Sequence, residues 1–487
     1  MNIFLDIWNV FFNQFITVPA LLLGVIVALG YILLRRPAMR VLSGAIKTAV
    51  GVLILQVGSG QLVGTFRPLL EALTAKFGIT GTILDPYAGL PAATAALGET
   101  RASWVGYTIL LALAVNILLV VFKRVTRLRG IFLTGHIMFI QSALVTAIVA
   151  YVFNLPLLPT VLLAGTLTGI YWAVGSHLLI KPVDAITNGA GFTLGHQQMF
   201  YDWFVSKTAH LVGDPEKDNT ENLELPGWLN ILQDNVVAMA VIMTVFMGIL
   251  MLSIGPAKIQ EMAGTRHWAV HILLTGLSFA VNVTIILTGV RMFVAELANS
   301  FKGISERLIK GAVVGVDVPA IMPFAPNAWM LGFLFTVLGQ VIGILVLILF
   351  RSPALVIAGF VPMFFDGGPV GVFANKFGGF KAVAFFGVFL GLFQILLSAL
   401  IVPMTGFVGG WMGNFDWASY WLIITTALHT VAGLLGVGDI SIATRLATFG
   451  NLAALGGALV VIAALVIILM TLARRRRPVA RPAKGSV

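Results

Sequence analysis

Apolar runs of roughly 20 residues recur along this chain, and each is long enough to cross about 30 Å of hydrocarbon as a helix. They lie near 17–34, 41–63, 103–122, 131–153, 157–180, 231–254, 268–292, 328–350, 353–374, 382–403 and 453–473. Inside lipid every backbone N–H and C=O must find a partner within the protein, so a chain of this pattern folds as a bundle of helices. The expected fold is therefore an all-α polytopic membrane protein with about 11 transmembrane helices. Only 10% of the residues are charged and 59% are hydrophobic, against about 25% charged in soluble proteins. The chain contains no cysteine, which excludes a disulfide framework, a thiolate metal site and a cysteine nucleophile within it. The N-terminus MNIFLDIWNVFFNQF lacks a basic n-region and a small-residue cleavage site, so the first helix is expected to stay in the mature protein.

Loop charge gives the orientation. With the N-terminus outside, the inner segments hold 21 Lys and Arg, including Arg35, Arg36, Lys123, Arg124 and the tail RRRRPVARPAK. The outer ones keep Arg67, Lys76, Arg101, Lys258, Arg266, Arg351 and Arg445, which is 7. The expectation is N-out and C-in. The net charge of +11 is then mostly a topology signal, with the Arg run against anionic lipid, and no nucleic-acid partner is expected.

The stretches 81–100, 183–226, 294–325 and 404–450 remain outside these spans. The last contains WASYWLIITTALHTVAGLLG (417–436), read as re-entrant because a full crossing would carry the Arg-rich tail outside. Only 206–226 is polar enough for an ordinary aqueous loop. An internal repeat organises the rest. ASWVGYTILLALAVNILLVVF from Ala102 lies over NAWMLGFLFTVLGQVIGILVLILF from Asn327, with Trp104 matching Trp329. The register runs without a gap to Met138 over Met363 and Phe139 over Phe364. LDPYAGLP (84–91) and VDVPAIMP (316–323) precede the two copies. The copies begin five spans apart, and an odd number inverts one relative to the other. Inverted-topology repeats with interrupted helices and re-entrant hairpins mark transporters whose site lies near the bilayer midplane.

The interrupted segments carry the polar candidates. His136 and Gln141 in LTGHIMFIQ are either interhelical packing glue or a donor–acceptor pair for a hydroxylated ligand. GFTLGHQQMF (191–200) repeats the Gly-His pairing with His196 and Gln197, and Gly191 and Gly195 would permit a helix break there. Asp317 stands alone in GAVVGVDVPAIMP, either as an N-cap or as a ligand contact; Asp85 and Tyr87 hold the matching place in the first copy. Glu296 and Arg291 form a structural pair or boundary anchor. No zinc-type spacing is present, and neither a metal nor a cofactor is expected.

These residues resemble a known family. LPGWLN (225–230), TGHIMF (134–139), LGHQQ (194–198), GVRMFVAEL (289–297), FAPNA (324–328), the PMFF and GVFAN segments within 362–375, and LLLGVIVALGYILLRR near the start look like the membrane IIC component of the ascorbate-type phosphotransferase system. The resemblance covers nearly the whole chain except the basic tail. It implies a homodimer in the bacterial cytoplasmic membrane. Each protomer would have scaffold helices (1–80 and 227–292) and a core transport region (81–226 and 293–487, the latter with the last helix and tail). It also implies an inward sugar-acid permease for L-ascorbate, with separate IIA and IIB subunits supplying the phosphoryl group and no phosphorylated residue in this chain. Carried over position by position, the ligand contacts fall on Pro86 and Tyr87, on His136, Ile137, Met138, Phe139, Ile140 and Gln141, on His196 and Gln197, and on Asp317. Two positions depart from the family pattern: Ile140 stands where it has Gln, and Pro86 where it has a small hydroxyl residue. A related sugar acid or pentitol therefore stays open as ligand, and an ion-coupled secondary transporter of a sugar acid or polyol stays open as the rival class.

Overall fold

The computed structural model describes residues 10, 18–77, 81–222, 235–307, 309–352, 354–359 and 361–437. Besides a single turn at Lys123–Thr126, its helices are α1 (Pro19–Leu33), α2 (Ala38–Phe77), α3 (Pro86–Ala102), α4 (Trp104–Val121), α5 (Gly135–Phe153), α6 (Leu157–Leu178), α7 (Ile180–Thr187), α8 (Met199–Thr208), α9 (Asn235–Ile254), α10 (Pro256–Ala263), α11 (Trp268–Arg307), α12 (Pro326–Leu349), α13 (Gly367–Thr405), α14 (Phe415–Ala418) and α15 (Tyr420–Leu435). Among the described residues, seven helical segments are long and apolar enough to cross a membrane, or eight if α9 and α10, bent by 112°, count as one span. The expected spans 353–374 and 382–403 fall, from Pro362 onward, within the helical stretch Pro362–Thr405, which is broken at Gly379 by a non-helical backbone. The segment read as re-entrant contains Phe415–Leu435, which reaches crossing length and hydropathy. The expected span 453–473 lies outside the described residues.

Six short strands, which the helical reading did not anticipate, interrupt this bundle: β1 (Thr82–Leu84), β2 (Gly130–Phe132), β3 (Phe192–Leu194), β4 (Val313–Val316), β5 (Val356–Ala358) and β6 (Gly410–Trp411). They form two three-stranded parallel sheets, in the orders β5-β1-β6 and β2-β4-β3. Each central strand comes from one half of the chain and both its neighbours from the other. Segments of two to four residues cannot satisfy their own backbone groups. Exchange gives the central strands partners on both edges, as burial in an apolar surround demands.

Each half runs strand, helical stretch, strand, helical stretch, strand, and the halves share their breaks. In the 225-residue register that pairs Trp104 with Trp329, Asn154 falls on Gly379. Both have positive φ, 49° and 70°, and both end a helical stretch: α5 before α6, and the first part of α13 before its second. Asn154 is in the left-handed helical well (ψ 38°), which Asn adopts at modest cost, whereas Gly379 (ψ −167°) is in a region open essentially to glycine alone.

Packing divides the helices into two groups. α1, α2, α9 and α11 pack on one another, while α12 packs on α13, α4 on α6 and α3 on α5. Phe279 of α11 joins the groups by meeting Phe364 edge-on, with ring centroids 5.4 Å apart. Within the first group, Glu296 pairs with Arg40 at 2.9 Å and accepts from the Tyr31 hydroxyl at 2.5 Å. Its partner is thus Arg40 of α2, one helix away from the expected Arg291, which is exposed.

The polar stretch 209–222 folds back on the second group. Glu221 accepts from the N–H groups of Asn327 and Ala328 at 3.3 and 2.8 Å, capping α12. Asp218 receives the Phe380 N–H on its carbonyl at the Gly379 break. Burial pushes the Glu221 carboxyl above its usual range, against the pull of those two donors.

Candidate functional site

All strands in each sheet run parallel, so their carboxyl ends lie together, and every strand there leads into a helical start. β1 gives Asp85 and Pro86 of α3. β2 gives Thr134 and α5. β3 gives Gly195, His196 and Gln197 before α8. β4 gives Asp317 and a 3₁₀ turn over Val318–Phe324. β5 leads to a π-helical turn over Pro362–Asp366, and β6 to Asn414 and α14. Helix N-termini carry unsatisfied N–H groups and partial positive charge, which favour anions and polar ligand atoms.

The two sheet ends meet at a buried polar cluster. His196 Nε2 lies 3.1 Å from Asp366 Oδ1, which joins the end of the β4 sheet to that of the β1 sheet. Asn414 Nδ2 donates to Asp366 Oδ1 at 2.7 Å, and Gln394 Nε2 donates to Oδ2 at 2.6 Å. Gln340 Nε2 in turn donates to Gln394 Oε1 at 2.9 Å. Gln198 Nε2 reaches the Asp366 carbonyl at 3.0 Å and the Asp202 carboxylate at 3.1 Å. Beside this cluster Asp416 accepts from the Tyr171 hydroxyl at 2.9 Å and from the N–H groups of Phe200 and Tyr201 at 2.9 and 3.2 Å, capping α8 from outside its own helix.

The expected ligand residues divide on this geometry. His196 and Gln197 are buried, yet His196 Nδ1 and Gln197 Oε1 have no hydrogen-bond partner among the described residues. Asp317 is partly exposed. Its Oδ1 accepts from the Val318 N–H at 2.8 Å, the capping arrangement, and also lies 3.9 Å from His196 Nδ1. The structure therefore brings His196, Gln197 and Asp317 together. Gln141 has been claimed by the protein: the Trp172 indole donates to its Oε1 at 2.6 Å, and its Nε2 lies 3.5 Å from the His196 carbonyl. Ile137, Met138 and Ile140 are buried in the hydrophobic core with Phe139 packed against it, so these four side chains serve packing here. Pro86 is buried at the start of α3, which it begins without a lost N–H bond. Tyr87 and His136 occupy the first turns of α3 and α5; their side chains lie outside what the structure describes.

GFTLGHQQMF is a strand, turn and helix start instead of a broken helix. Gly191 takes φ of 80° ahead of β3. Gly195 is needed for space: a Cβ there would stand 3.1 Å from Thr134 Oγ1 and 3.2 Å from the Phe132 ring. The residues missed by sequence reasoning are Asp366, Asn414, Gln394 and Asp416. A signal for the first was present, since an acidic residue in an apolar run is a functional candidate by default. In the 225-residue register, moreover, Asp366 falls on Gln141.

A multi-pass bundle of apolar helices, with strand ends and helix starts converging on a partly unsatisfied polar cluster, has the design of a membrane permease. Comparison with known proteins gives the family. The sequence profile of the PTS system sugar-specific permease component matches residues 14–418, and the chain belongs to that family. It is also similar to a Mycoplasma pneumoniae protein named "Ascorbate-specific PTS system EIIC component", with 33% identity over 435 residues, covering 80% of this chain and 66% of that protein. The chain thus spans just under two thirds of the length of that relative.

Proposed function

We propose that this protein is the sugar-acid permease of a phosphoenolpyruvate-dependent phosphotransferase system. It binds L-ascorbate or a related sugar acid at the strand ends and passes it inward, where a separate IIB subunit, charged by IIA, phosphorylates it. The observation that carries this reading is the convergence of strand ends and helix starts on buried polar atoms that have no partner among the described residues, His196 Nδ1 and Gln197 Oε1 among them. A hydroxyl-rich ligand supplies donors for such atoms, and the positive ends of the helix starts suit its acidic group. The chain's lack of cysteine agrees with a phosphoryl donor carried on other subunits.

The strand exchange and the matched breaks at Asn154 and Gly379 support two inverted copies, and eleven spans in all with the expected segment at 453–473. The division of helices supports a scaffold formed by α1, α2, α9 and α11 and a moving core formed by the rest. The protein would work as a homodimer in the bacterial cytoplasmic membrane, N-terminus outside and C-terminus inside. The test is uptake of radiolabelled ascorbate by cells expressing the chain with and without its IIB partner, followed by analysis of the internal product. Partner-dependent accumulation as a phosphate ester is expected. Accumulation of unmodified ascorbate driven by an ion gradient would reject group translocation in favour of secondary transport.

A further inference from the structure

We propose that Asp366 is the positioning residue of the binding site. It holds the His196 imidazole in the form whose Nδ1 is a hydrogen-bond acceptor, and Nδ1 then selects ligands that bring a hydroxyl donor to it. This rests on the reading of His196 and Asp317 as facing the ligand.

The direction of each bond in the cluster follows from its outermost member. Gln340 Nε2 donates to Gln394 Oε1, which leaves the Gln394 amide nitrogen as the group facing Asp366 Oδ2 at 2.6 Å. Asn414 supplies a second donor, to Oδ1 at 2.7 Å. A carboxylate surrounded by donors is an acceptor, so the hydrogen in the 3.1 Å contact with His196 belongs on Nε2. A neutral imidazole protonated on Nε2 has its lone pair on Nδ1. That nitrogen is buried without a hydrogen bond among the described residues, and the nearby Asp317 oxygen, 3.9 Å away, is itself an acceptor beyond bonding reach. Nδ1 is thus an acceptor that calls for a donor, which a hydroxyl of a sugar acid or polyol provides. Asp366 is fully buried, and its contact with His196 is its link to Nδ1.

The first test reads the full-length protein in lipid without ligand. With ¹⁵N-histidine, the imidazole signals of His196, identified by their loss in His196→Gln, are expected to show a protonated Nε2 and a bare Nδ1. A proton on Nδ1, alone or in addition, overturns the proposal whatever the substrate. In Asp366→Leu, which offers Nε2 no acceptor, the proton is expected to move to Nδ1, toward Asp317. Asp366→Asn, whose amide oxygen can still accept from Nε2, and Gln394→Met, which keeps the carboxylate, should leave it in place. An unmoved proton in Asp366→Leu overturns the positioning role, as does a moved proton in Gln394→Met. The second test is ascorbate binding, expected to weaken at least tenfold in Asp366→Leu. An analogue without the side-chain hydroxyls should bind at least tenfold more weakly than ascorbate to the parent and lose much of that handicap in the variant. An analogue that binds the parent as well as ascorbate overturns hydroxyl selection. If the proton behaves as expected and ascorbate binds neither protein, the positioning role stands and the ascorbate reading falls.

Discussion

At the end of the β1 sheet, the carboxylates of Asp85 and Asp366 both receive donors from the protein: Asp85 Oδ2 from the Val361 N–H at 3.3 Å, Asp366 from Asn414 and Gln394 with His196 alongside. At the end of the β4 sheet, His196 and Gln197 each keep one buried atom without such a partner. The two sheets are built by the same exchange of strands, so the architecture does not set this difference. Side-chain chemistry does. At one end the protein's own amides hold the carboxylates, although Asn414 Oδ1 and Trp411 Nε1 beside them have no partner among the described residues; at the other, the open atoms belong to His196 and Gln197, which gives that end capacity for a ligand.

The sharpest way to break this contrast is to remove a carboxylate from each end. Asp366→Ala leaves the His196, Asn414 and Gln394 donors without their acceptor and should cost about 3 kcal/mol or more, since each buried group left unsatisfied costs about 1–3 kcal/mol. Asp317→Ala, at a partly exposed cap, should cost about 1 kcal/mol. Thermal unfolding of the two variants in the same detergent checks this, and equal losses would mean that the two ends do not differ in structural role. Ligand binding should sharpen the same contrast. Gln197→Ala and His196→Ala are expected to weaken ascorbate binding tenfold or more with dimer assembly intact. Parent-like binding in both would move the site elsewhere.

The comparison also explains what could be seen beforehand. The membrane class and most helices are legible because long apolar runs are local features, and His196, Gln197 and Asp317 stand out as candidates because they are polar residues isolated beside such runs. The strands are not legible, since two to four residues carry no usable periodicity and their pairing joins residues as distant as Thr82 and Val356. The partners of Asp366 are hidden for a related reason: His196, Gln394 and Asn414 come from three other parts of the chain. Gln141 shows the converse. Its polarity in an apolar run suggests a ligand, but the Trp172 indole already occupies its oxygen, a partner that sequence spacing cannot reveal.

That assignment gives a third prediction, because Gln141 and Asp366 occupy the same repeat position on either side of His196. Trp172→Phe removes the indole donor from Gln141 and some packing on Phe132, whose ring stacks at 5.1 Å. A loss of about 1–3 kcal/mol in stability is expected from the unsatisfied amide. Ascorbate affinity should change less than threefold, a small effect beside that of Gln197→Ala. A tenfold loss of affinity without a loss of stability would return Gln141 to the ligand site.

The smallest expected effects test whether the two copies are equivalent at their breaks. Gly379 and Asn154 share a positive φ, but their ψ angles, −167° and 38°, and their surroundings differ. A Cβ at Gly379 would stand 2.8 Å from the Asp218 carbonyl and 2.9 Å from that of Asp214, whereas Asn154 already carries a side chain there and accepts from Arg101 at 2.8 Å. Gly379→Ala should therefore cost about 1–3 kcal/mol from a backbone region that is essentially glycine's alone, and more if the 214–218 turn cannot yield. It should also loosen that turn, read as faster amide hydrogen exchange at Phe380. Asn154→Gly relaxes the backbone but loses an exposed side-chain bond and adds unfolded-state freedom, so the net change should stay within about 0.5 kcal/mol. The same strong penalty at both breaks would mean that Asn154 is as tightly enclosed as Gly379. No penalty at either would mean that the 214–218 turn does not hold the second break in place.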